Sequence, residues 1–270
     1  MNRAELIKTI IKKKSMLCVG LDTDFHKIPP HLQKLGIEKG ILTFNEAIIK
    51  ATAKFAVAFK INTAFYEQYG SLGWQILEKT LELIPEDIFT IADAKRGDIG
   101  NTSKMYAKAF FEAMNFDSVT VAPYMGKDSL SPFLEFDNKW IICLGLTSNP
   151  GSADIQKEKL KDGNAVYMHT MEQVASWGTQ ENIMFVTGAT HPDELKKLRI
   201  HFPNHFFLVP GVGAQGGNAK DVIKAAAMNK EGGLLINSSR GIIYAGNGED
   251  FAQNSAVAAE QLVNEMSFYF

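Results

Sequence analysis

The chain has 270 residues, 46% of them hydrophobic, which is enough for one large globular core. It carries 28 Lys and Arg against 30 Asp and Glu, so it lacks the basic field that nucleic-acid binding requires, and we expect a small-molecule partner and no nucleic acid. Its apolar pieces are too short for a membrane span or a signal peptide, so we expect a cytoplasmic protein without membrane contact.

In chain order, residues 1–14 mix basic and apolar positions and predict an N-terminal amphipathic helix. Eight short apolar runs follow, most ending in polar or glycine-rich turns, as strands buried on both faces do. They cover residues 16–22, 56–62, 88–95, 118–123, 140–147, 183–189, 206–212 and 233–239. The only two cysteines, Cys18 and Cys143, lie inside such runs, which indicates buried thiols in a reducing compartment.

Segments with helical periodicity separate most of these runs. In residues 103–114 the apolar side chains recur every three or four positions, which predicts a helix. They are Met105, Tyr106, Ala109, Phe110 and Ala113. Eight such units, at roughly 34 residues each, predict a single-domain (β/α)8 TIM barrel over residues 1–270, with a doubly wound open sheet as the alternative. The polar segment 148–164 follows the fifth strand, where a barrel enzyme can carry an active-site lid.

The third run ends in the charged sequence IADAKRGDIGNT, residues 91–102. Functional residues of a barrel lie at the carboxyl ends of its strands, and this is such an end. In an extended chain Asp93 and Lys95 point to the same face, here the barrel mouth, while Asp98 lies beyond a glycine on the rim. We expect one of the polar residues 101–103 to cap the following helix.

Other strand ends also carry polar groups, which makes a solvated turn with an incidental ion pair a weaker interpretation of this cluster. These groups are Asp22, Lys60, Ser148, Ser239 and Arg240. The loops after the last two strands, PGVGAQGGN and NSSRG, are where barrels often bind phosphate. There Gln215 supplies an amide and Arg240 a planar charged fork, which predicts a phosphorylated ligand.

The motifs DAKRGDIGNT, PGVGAQGG and NSSRGIIYA, in this order, resemble those of the orotidine 5′-monophosphate decarboxylase family, in its longer bacterial subgroup (type 2). The resemblance implies conversion of orotidine 5′-monophosphate to uridine 5′-monophosphate and CO2, the last step of pyrimidine synthesis, without a cofactor or a metal. It also implies a homodimer whose active sites lie at the subunit interface.

The resemblance further implies a role for each matching residue. Lys60, Asp93, Lys95 and Asp98 would form a charged tetrad, to which Asp98 belongs from the partner subunit. The remaining residues would bind the substrate: Asp22 and Lys60 at the ribose, Thr102 from the partner, Ser148 at the pyrimidine, and Pro210, Gln215, Ser239 and Arg240 around base and phosphate.

The chemistry of the residues agrees with this assignment. Loss of CO2 would leave a carbanion at pyrimidine carbon 6 with no π-system positioned to delocalise it, and the sequence carries no pyridoxal, thiamine or metal-site signature. Electrostatic stabilisation would have to replace an electron sink, with Lys95 facing the negative charge and then donating the proton.

Three alternatives differ in chemistry. A Mg²⁺-dependent sugar-phosphate decarboxylase or synthase on the same barrel would need carboxylates near the second strand end, where this chain presents Lys60. A Schiff-base aldolase needs a neutral lysine, whereas Lys95 between Asp93 and Asp98 should stay charged. A non-catalytic sensor of nucleotide phosphates would gain nothing from carboxylates beside an anionic ligand.

Overall fold

Eight parallel strands close into a barrel in the computed structural model of the chain, which describes residues 1–188, 192–212, 218–229 and 231–270. The strands are β1 (Leu17–Gly20), β2 (Ala58–Asn62), β3 (Phe89–Arg96), β4 (Ser118–Val121), β5 (Trp140–Leu146), β6 (Ile183–Thr187), β7 (Phe206–Val209) and β8 (Leu234–Ser238). Each pairs with its neighbours in sequence, and β8 closes the barrel on β1 through the pair Cys18 and Asn237. The predicted TIM barrel is confirmed and the open sheet is wrong.

Helices surround the barrel. They are α1 (Arg3–Lys13), α2 (Pro30–Gln33), α3 (Ile37–Thr52), α4 (Ala64–Glu67), α5 (Ser71–Glu82), α6 (Gly100–Lys108), α7 (Lys127–Leu134), α8 (Val166–Ala175), α9 (Pro192–His201), α10 (Ala219–Ala226), α11 (Arg240–Ile243) and α12 (Phe251–Met266). No helix in the described ranges is long and apolar enough to cross a bilayer. Both cysteines are buried and free.

The amino-terminal end of the barrel is closed by aromatic packing and by α1. Trp140, the first residue of β5, lies edge-on to Phe89 and Phe206, which begin β3 and β7. The Trp140 indole N–H donates to the Met1 carbonyl at 3.0 Å, and Arg3 of α1 lies over the Phe206 ring. This packing fills the amino-terminal end of the barrel, so we expect a ligand site at the carboxyl ends of the strands.

The segment 103–114 is helical as predicted, although not all of its recurring apolar side chains are buried. The helix begins at Gly100 and changes after Lys108 into a π-helical turn, Ala109–Ala113. Met105 and Tyr106 are 49% and 37% exposed. Both lie before the π turn, and on this part of the helix Ser103 and Ala107, four residues apart, are the buried positions.

A polar residue occupies part of the buried face instead. Ser103 is buried and its hydroxyl donates to the Ser129 carbonyl at 2.5 Å. None of residues 101–103 caps the helix, so that prediction was wrong: Ile99 is the N-cap residue and has no side-chain capping bond. The carboxylate of Asp98 accepts from the Ile99 amide at 2.7 Å and orders the entry to α6.

The segment 148–164 has little regular structure apart from a 3-10 helix, Pro150–Asp154. The Gln156 side chain accepts from the Thr147 amide and donates to the Thr147 hydroxyl, each at 2.8 Å. These two bonds fasten the segment to the end of β5, beside the open mouth. Whether it acts as a lid stays a prediction.

Candidate active site

Four charged side chains form one chain of ion pairs in the barrel mouth. The Lys60 ammonium lies 3.0 Å from Asp22 Oδ1 and 3.1 Å from Asp93 Oδ2. The other oxygen of Asp93, Oδ1, lies 2.7 Å from Lys95 Nζ. The register explains the grouping, because Gly20 at the end of β1 pairs with Lys60 and Asn62 pairs with Asp93. Cation and carboxylate therefore alternate across three neighbouring strands.

Lys60 and Asp93 are held in their charged forms. Burial lowers the pKa of Lys60, but the carboxylates of Asp22 and Asp93 outweigh it, and the pKa is raised above its usual value. Burial likewise raises the pKa of Asp93, but Lys60 and Lys95 outweigh it, and the pKa lies well below its usual range. A fixed cation and a fixed anion therefore lie side by side at the base of the site.

Lys95 differs from Lys60 in exposure. Its side chain is 49% exposed, against 6% for Lys60, whose ammonium already contacts two carboxylates. The ammonium of Lys95 contacts only the Asp93 carboxylate in the described part of the chain. Lys95 therefore offers the proton and the positive charge that a bound molecule can reach.

The backbone of Lys95 is strained. Its φ of +48° lies in the left-handed region, which costs a non-glycine residue about 1–3 kcal/mol. The pairing of β3 with β4 shifts register between Ala92 and Arg96, as at a β-bulge, and Lys95 lies in this interval. The bulge re-aims the side chain at the end of the strand.

Thr120 of β4 supports this bulge and was missed by the sequence analysis. Its hydroxyl accepts from the Lys95 amide at 2.9 Å and donates to Asp93 Oδ1 at 3.0 Å. The residue is fully buried. The sequence gives only a weak signal for it, since Thr120 is one of two polar residues, with Ser118, in the fourth apolar run, SVTVAP.

A cavity of about 340 Å³ opens above the charged chain, within the size range of small-molecule sites. Its lining includes eight of the predicted site residues: Asp22, Lys60, Asp93, Lys95, Ser148, Pro210, Ser239 and Arg240. Gly211 and Val212 line it beside Pro210. Two further kinds of residue line the cavity and were not predicted from the sequence. They are the apolar Leu144, Val186 and Leu208 and the amides Asn62, Asn149 and Asn237.

The predicted phosphate side of the cavity is formed by the ends of β7 and β8. Gly20 of β1 makes room there, because a Cβ on it would lie 1.9 Å from the Ser239 hydroxyl oxygen. Gly211 has a φ of +91°, which glycine adopts without strain. Arg240 is exposed at the rim. Gln215, the fourth residue assigned to this side, lies outside the described residues.

Asp98 and Thr102 are not brought into the cavity of their own chain. Neither lines it, and Thr102 is exposed on the first turn of α6. Asp98 is partly exposed on the loop between β3 and α6. Within one chain, the structure therefore groups Lys60, Asp93 and Lys95 and leaves Asp98 apart.

A buried polar network beneath β1 fixes Asp22. The Asn45 amide donates to the Tyr66 hydroxyl at 3.0 Å, and this hydroxyl donates to the Leu21 carbonyl at 3.0 Å. From the other side, the Tyr244 hydroxyl donates to the Asp22 carbonyl at 3.2 Å. These side chains come from α3, α4 and the end of α11, so a linear reading of the sequence does not reveal them.

The shifted pKa of Asp93 predicts a pH dependence of stability. Because the folded pKa is lowered, the carboxylate stabilises the fold above its unfolded pKa of about 3.9, and this contribution is lost as the pH falls further. The difference in unfolding free energy between wild type and Asp93→Asn should therefore shrink below pH 4, by on the order of 2 kcal/mol once both states are protonated.

Denaturant titrations at several pH values measure this difference. Asp137→Asn, at an exposed position, serves as the matched control and should show no such change. A difference for Asp93→Asn that stays constant from pH 6 to pH 2 would contradict the lowered pKa.

Comparisons with known proteins agree on one family. The family model described as "Orotidine 5'-phosphate decarboxylase / HUMPS family" matches residues 15–254. An orotidine 5'-phosphate decarboxylase of Christiangramia forsetii is 53% identical over 99% of this chain and 98% of its own length. That of Flavobacterium johnsoniae is also 53% identical, over 99% and 97%.

The fold is similar to solved structures as well. The structure of Leishmania donovani OMP decarboxylase superposes with a TM-score of 0.85 at 33% identity, covering 99% of both chains. The superposition thus extends over the barrel and the helices at both termini.

Proposed function

Because the chain belongs to the orotidine 5'-phosphate decarboxylase / HUMPS family, we propose that it decarboxylates orotidine 5′-monophosphate to uridine 5′-monophosphate, the last step of pyrimidine synthesis. One observation carries the proposal: Asp22, Lys60, Asp93 and Lys95 alternate in charge at the base of the cavity, and of its two lysines only Lys95 is free to face a substrate.

The proposed reaction breaks the bond between carbon 6 and the carboxylate. The electron pair stays on carbon 6, and the carboxyl group leaves as CO2. The Lys95 ammonium stabilises the negative charge and then donates a proton to carbon 6, after which solvent restores its own proton. The apolar side chains of Leu144, Val186 and Leu208 reduce the water in the cavity, which strengthens this electrostatic effect.

Asp93 has two effects in this proposal. It holds the Lys95 ammonium at 2.7 Å, which keeps the proton donor in place. It also repels a substrate carboxylate, since two like charges 4 Å apart repel by about 4 kcal/mol at an effective dielectric constant of about 20. The repulsion disappears when the carboxylate leaves as neutral CO2, so it opposes the substrate more than the transition state.

The other cavity residues are proposed to bind the nucleotide. Asp22 and Lys60 reach the ribose hydroxyls, and Ser148 contacts the pyrimidine. Pro210 and Ser239 line the cavity at the ends of β7 and β8. Gln215 and Arg240 are proposed to bind the phosphate.

Arg240→Ala tests the phosphate proposal. Binding energy at the phosphate helps to organise the charged site, so its loss should lower kcat/KM for orotidine 5′-monophosphate at least about tenfold. Steady-state kinetics with the nucleotide and with unphosphorylated orotidine measure the effect. Arg240→Lys, which keeps the charge without the planar fork, should lose less. An unchanged preference for the phosphorylated substrate would show that Arg240 does not bind phosphate.

We also propose a homodimer with shared sites. Large apolar side chains are exposed on the loops and helices that follow β3 and β4, around Asp98. They are Ile99 (55% exposed), Met105, Tyr106, Tyr124 (92%) and Met125. A second copy packed on this surface would cover them, and it would allow Asp98 and Thr102 of one chain to enter the site of the other.

The main rival is a Mg²⁺-dependent reaction on a sugar phosphate. The place between the carboxylates of Asp22 and Asp93 is taken by the Lys60 ammonium, at 3.0 and 3.1 Å, and a divalent cation there would be repelled. A nucleotide-phosphate sensor is the other alternative. It would bind the nucleotide without turning it over.

One experiment tests both whether the protein turns over the nucleotide and whether it needs a metal. Chelator-treated protein is mixed with orotidine 5′-monophosphate, and the change in pyrimidine absorbance is followed together with CO2 release. We expect multiple turnovers without added metal. Binding without turnover would favour the sensor, and activity that returns only with Mg²⁺ would favour the metal-dependent rival.

A further inference from the structure

We propose that Thr120 is a positioning residue for the decarboxylation, an inference that rests on the function proposed above. Its hydroxyl is the one side-chain group in the described chain that bonds both to the Lys95 backbone and to the Asp93 carboxylate. It thereby fixes the strand end from which the proton donor extends and, at the same time, the anion that holds the donor.

Thr120 first holds the backbone of Lys95. Lys95 has a φ of +48° in the register shift between β3 and β4, a conformation that persists only where its surroundings enforce it. The Thr120 hydroxyl accepts from the Lys95 amide at 2.9 Å. Without that acceptor the amide would have no partner at this point of the ladder, and the strand would tend to relax toward regular pairing.

Thr120 also orients the Asp93 carboxylate. Its Oδ2 is bound by Lys60, while its Oδ1 is shared by Lys95 and Thr120, at 2.7 and 3.0 Å. The two lysine ammonium groups lie at the ends of long, flexible side chains, whereas the Thr120 hydroxyl is on a short side chain of a buried strand. Thr120 therefore sets the orientation of the carboxylate, and through it the place of the Lys95 ammonium.

Both roles of Thr120 require a hydroxyl group. One group must accept from an amide and donate to a carboxylate, and a hydroxyl does both. Serine retains this pair of bonds. Valine has the same shape but neither accepts nor donates, and because Thr120 is fully buried, bulk water cannot simply replace the missing bonds. Cysteine provides only a weak donor and acceptor.

The test compares Thr120→Ser, Thr120→Val and Thr120→Cys with wild type. Thr52→Val is the matched control, since Thr52 is equally buried but its hydroxyl bonds only to the Ile48 carbonyl of its own helix, in the last turn of α3. We expect kcat to fall between about tenfold and 100-fold in the valine and cysteine variants. KM should stay within about threefold, because the substrate contacts remain. The serine variant should keep kcat within about threefold of wild type.

A fall in kcat at unchanged KM, with rescue by serine, indicates a positioning role. A merely structural role would instead lower kcat only in proportion to the loss of folded protein seen in melting curves. A kcat for Thr120→Val or Thr120→Cys within about twofold of Thr52→Val would overturn the inference. So would an equal loss in Thr120→Ser. If Thr120→Val does not fold, the cysteine and serine variants decide. Wild-type protein that fails to turn over orotidine 5′-monophosphate would refute the proposed function itself, before any variant is compared.

Discussion

Lys95→Ala is expected to fold and to bind uridine 5′-monophosphate while its kcat falls by at least about 10⁴-fold. General acid catalysis contributes about 10²–10⁴-fold and a single electrostatic donor about 10²–10³-fold, and Lys95 is proposed to serve both purposes. The other lysine of the cavity cannot replace it, because the Lys60 ammonium already contacts two carboxylates at 3.0 and 3.1 Å. Single-turnover kinetics and titration with the product measure the two quantities separately.

The control is Lys79→Ala, which removes a surface lysine paired with Glu38 and should leave kcat unchanged. The fold of Lys95→Ala is checked by its melting curve. Removing Lys95 leaves Asp93 paired with Lys60, so the buried charge stays compensated. A Lys95→Ala variant with near-normal kcat would exclude Lys95 as the proton donor.

Mixed dimers are expected to regain activity from two inactive parents. If Asp98 serves the partner's site, Lys95→Ala and Asp98→Ala each damage both sites of their own homodimer. In a dimer of one chain of each kind, one site carries both lesions, and the other combines an intact Lys95 with an intact Asp98. Random mixing makes half of the dimers mixed, with one intact site in each, so about a quarter of the wild-type activity should return in the unseparated mixture and about half in the isolated mixed dimers.

The two variants are co-refolded with different affinity tags, which isolate the mixed dimers. Lys95→Ala co-refolded with itself under both tags is the control and should stay inactive. If the tagged heterodimers form and no activity returns, Asp98 acts within its own chain, and the proposal of shared active sites is wrong.

The barrel could be predicted because most strand residues are buried on both faces, so that each strand appears as a short, mostly apolar run. The grouping of Asp22, Lys60, Asp93 and Lys95 could be predicted as well, since the carboxyl ends of parallel strands meet at one end of a barrel. Alternation along an extended strand also predicted that Asp93 and Lys95 share a face, although Lys95 in fact lies in a bulge with a left-handed backbone.

The features that the sequence analysis missed depend on contacts between distant segments. Thr120 acts across a shift of strand register, and such shifts leave no periodic signal. Asn45 and Tyr66 reach the site through a network of buried hydrogen bonds. The buried face of α6 is not recognisable from its apolar residues, because it includes Ser103, whose hydroxyl finds a carbonyl partner inside the protein.

The most direct measurement of the central claim is the fate of the atoms at carbon 6 when chelator-treated protein reacts in D2O. Orotidine 5′-monophosphate labelled in its carboxyl carbon is supplied, and the products are examined by NMR and mass spectrometry. If the Lys95 ammonium, exchanged with solvent, protonates a carbanion, the label leaves entirely as CO2 and the uridine 5′-monophosphate carries one deuterium, at carbon 6. Deuterium at carbon 5, or a label that remains in the nucleotide, would contradict direct decarboxylation at this charged site.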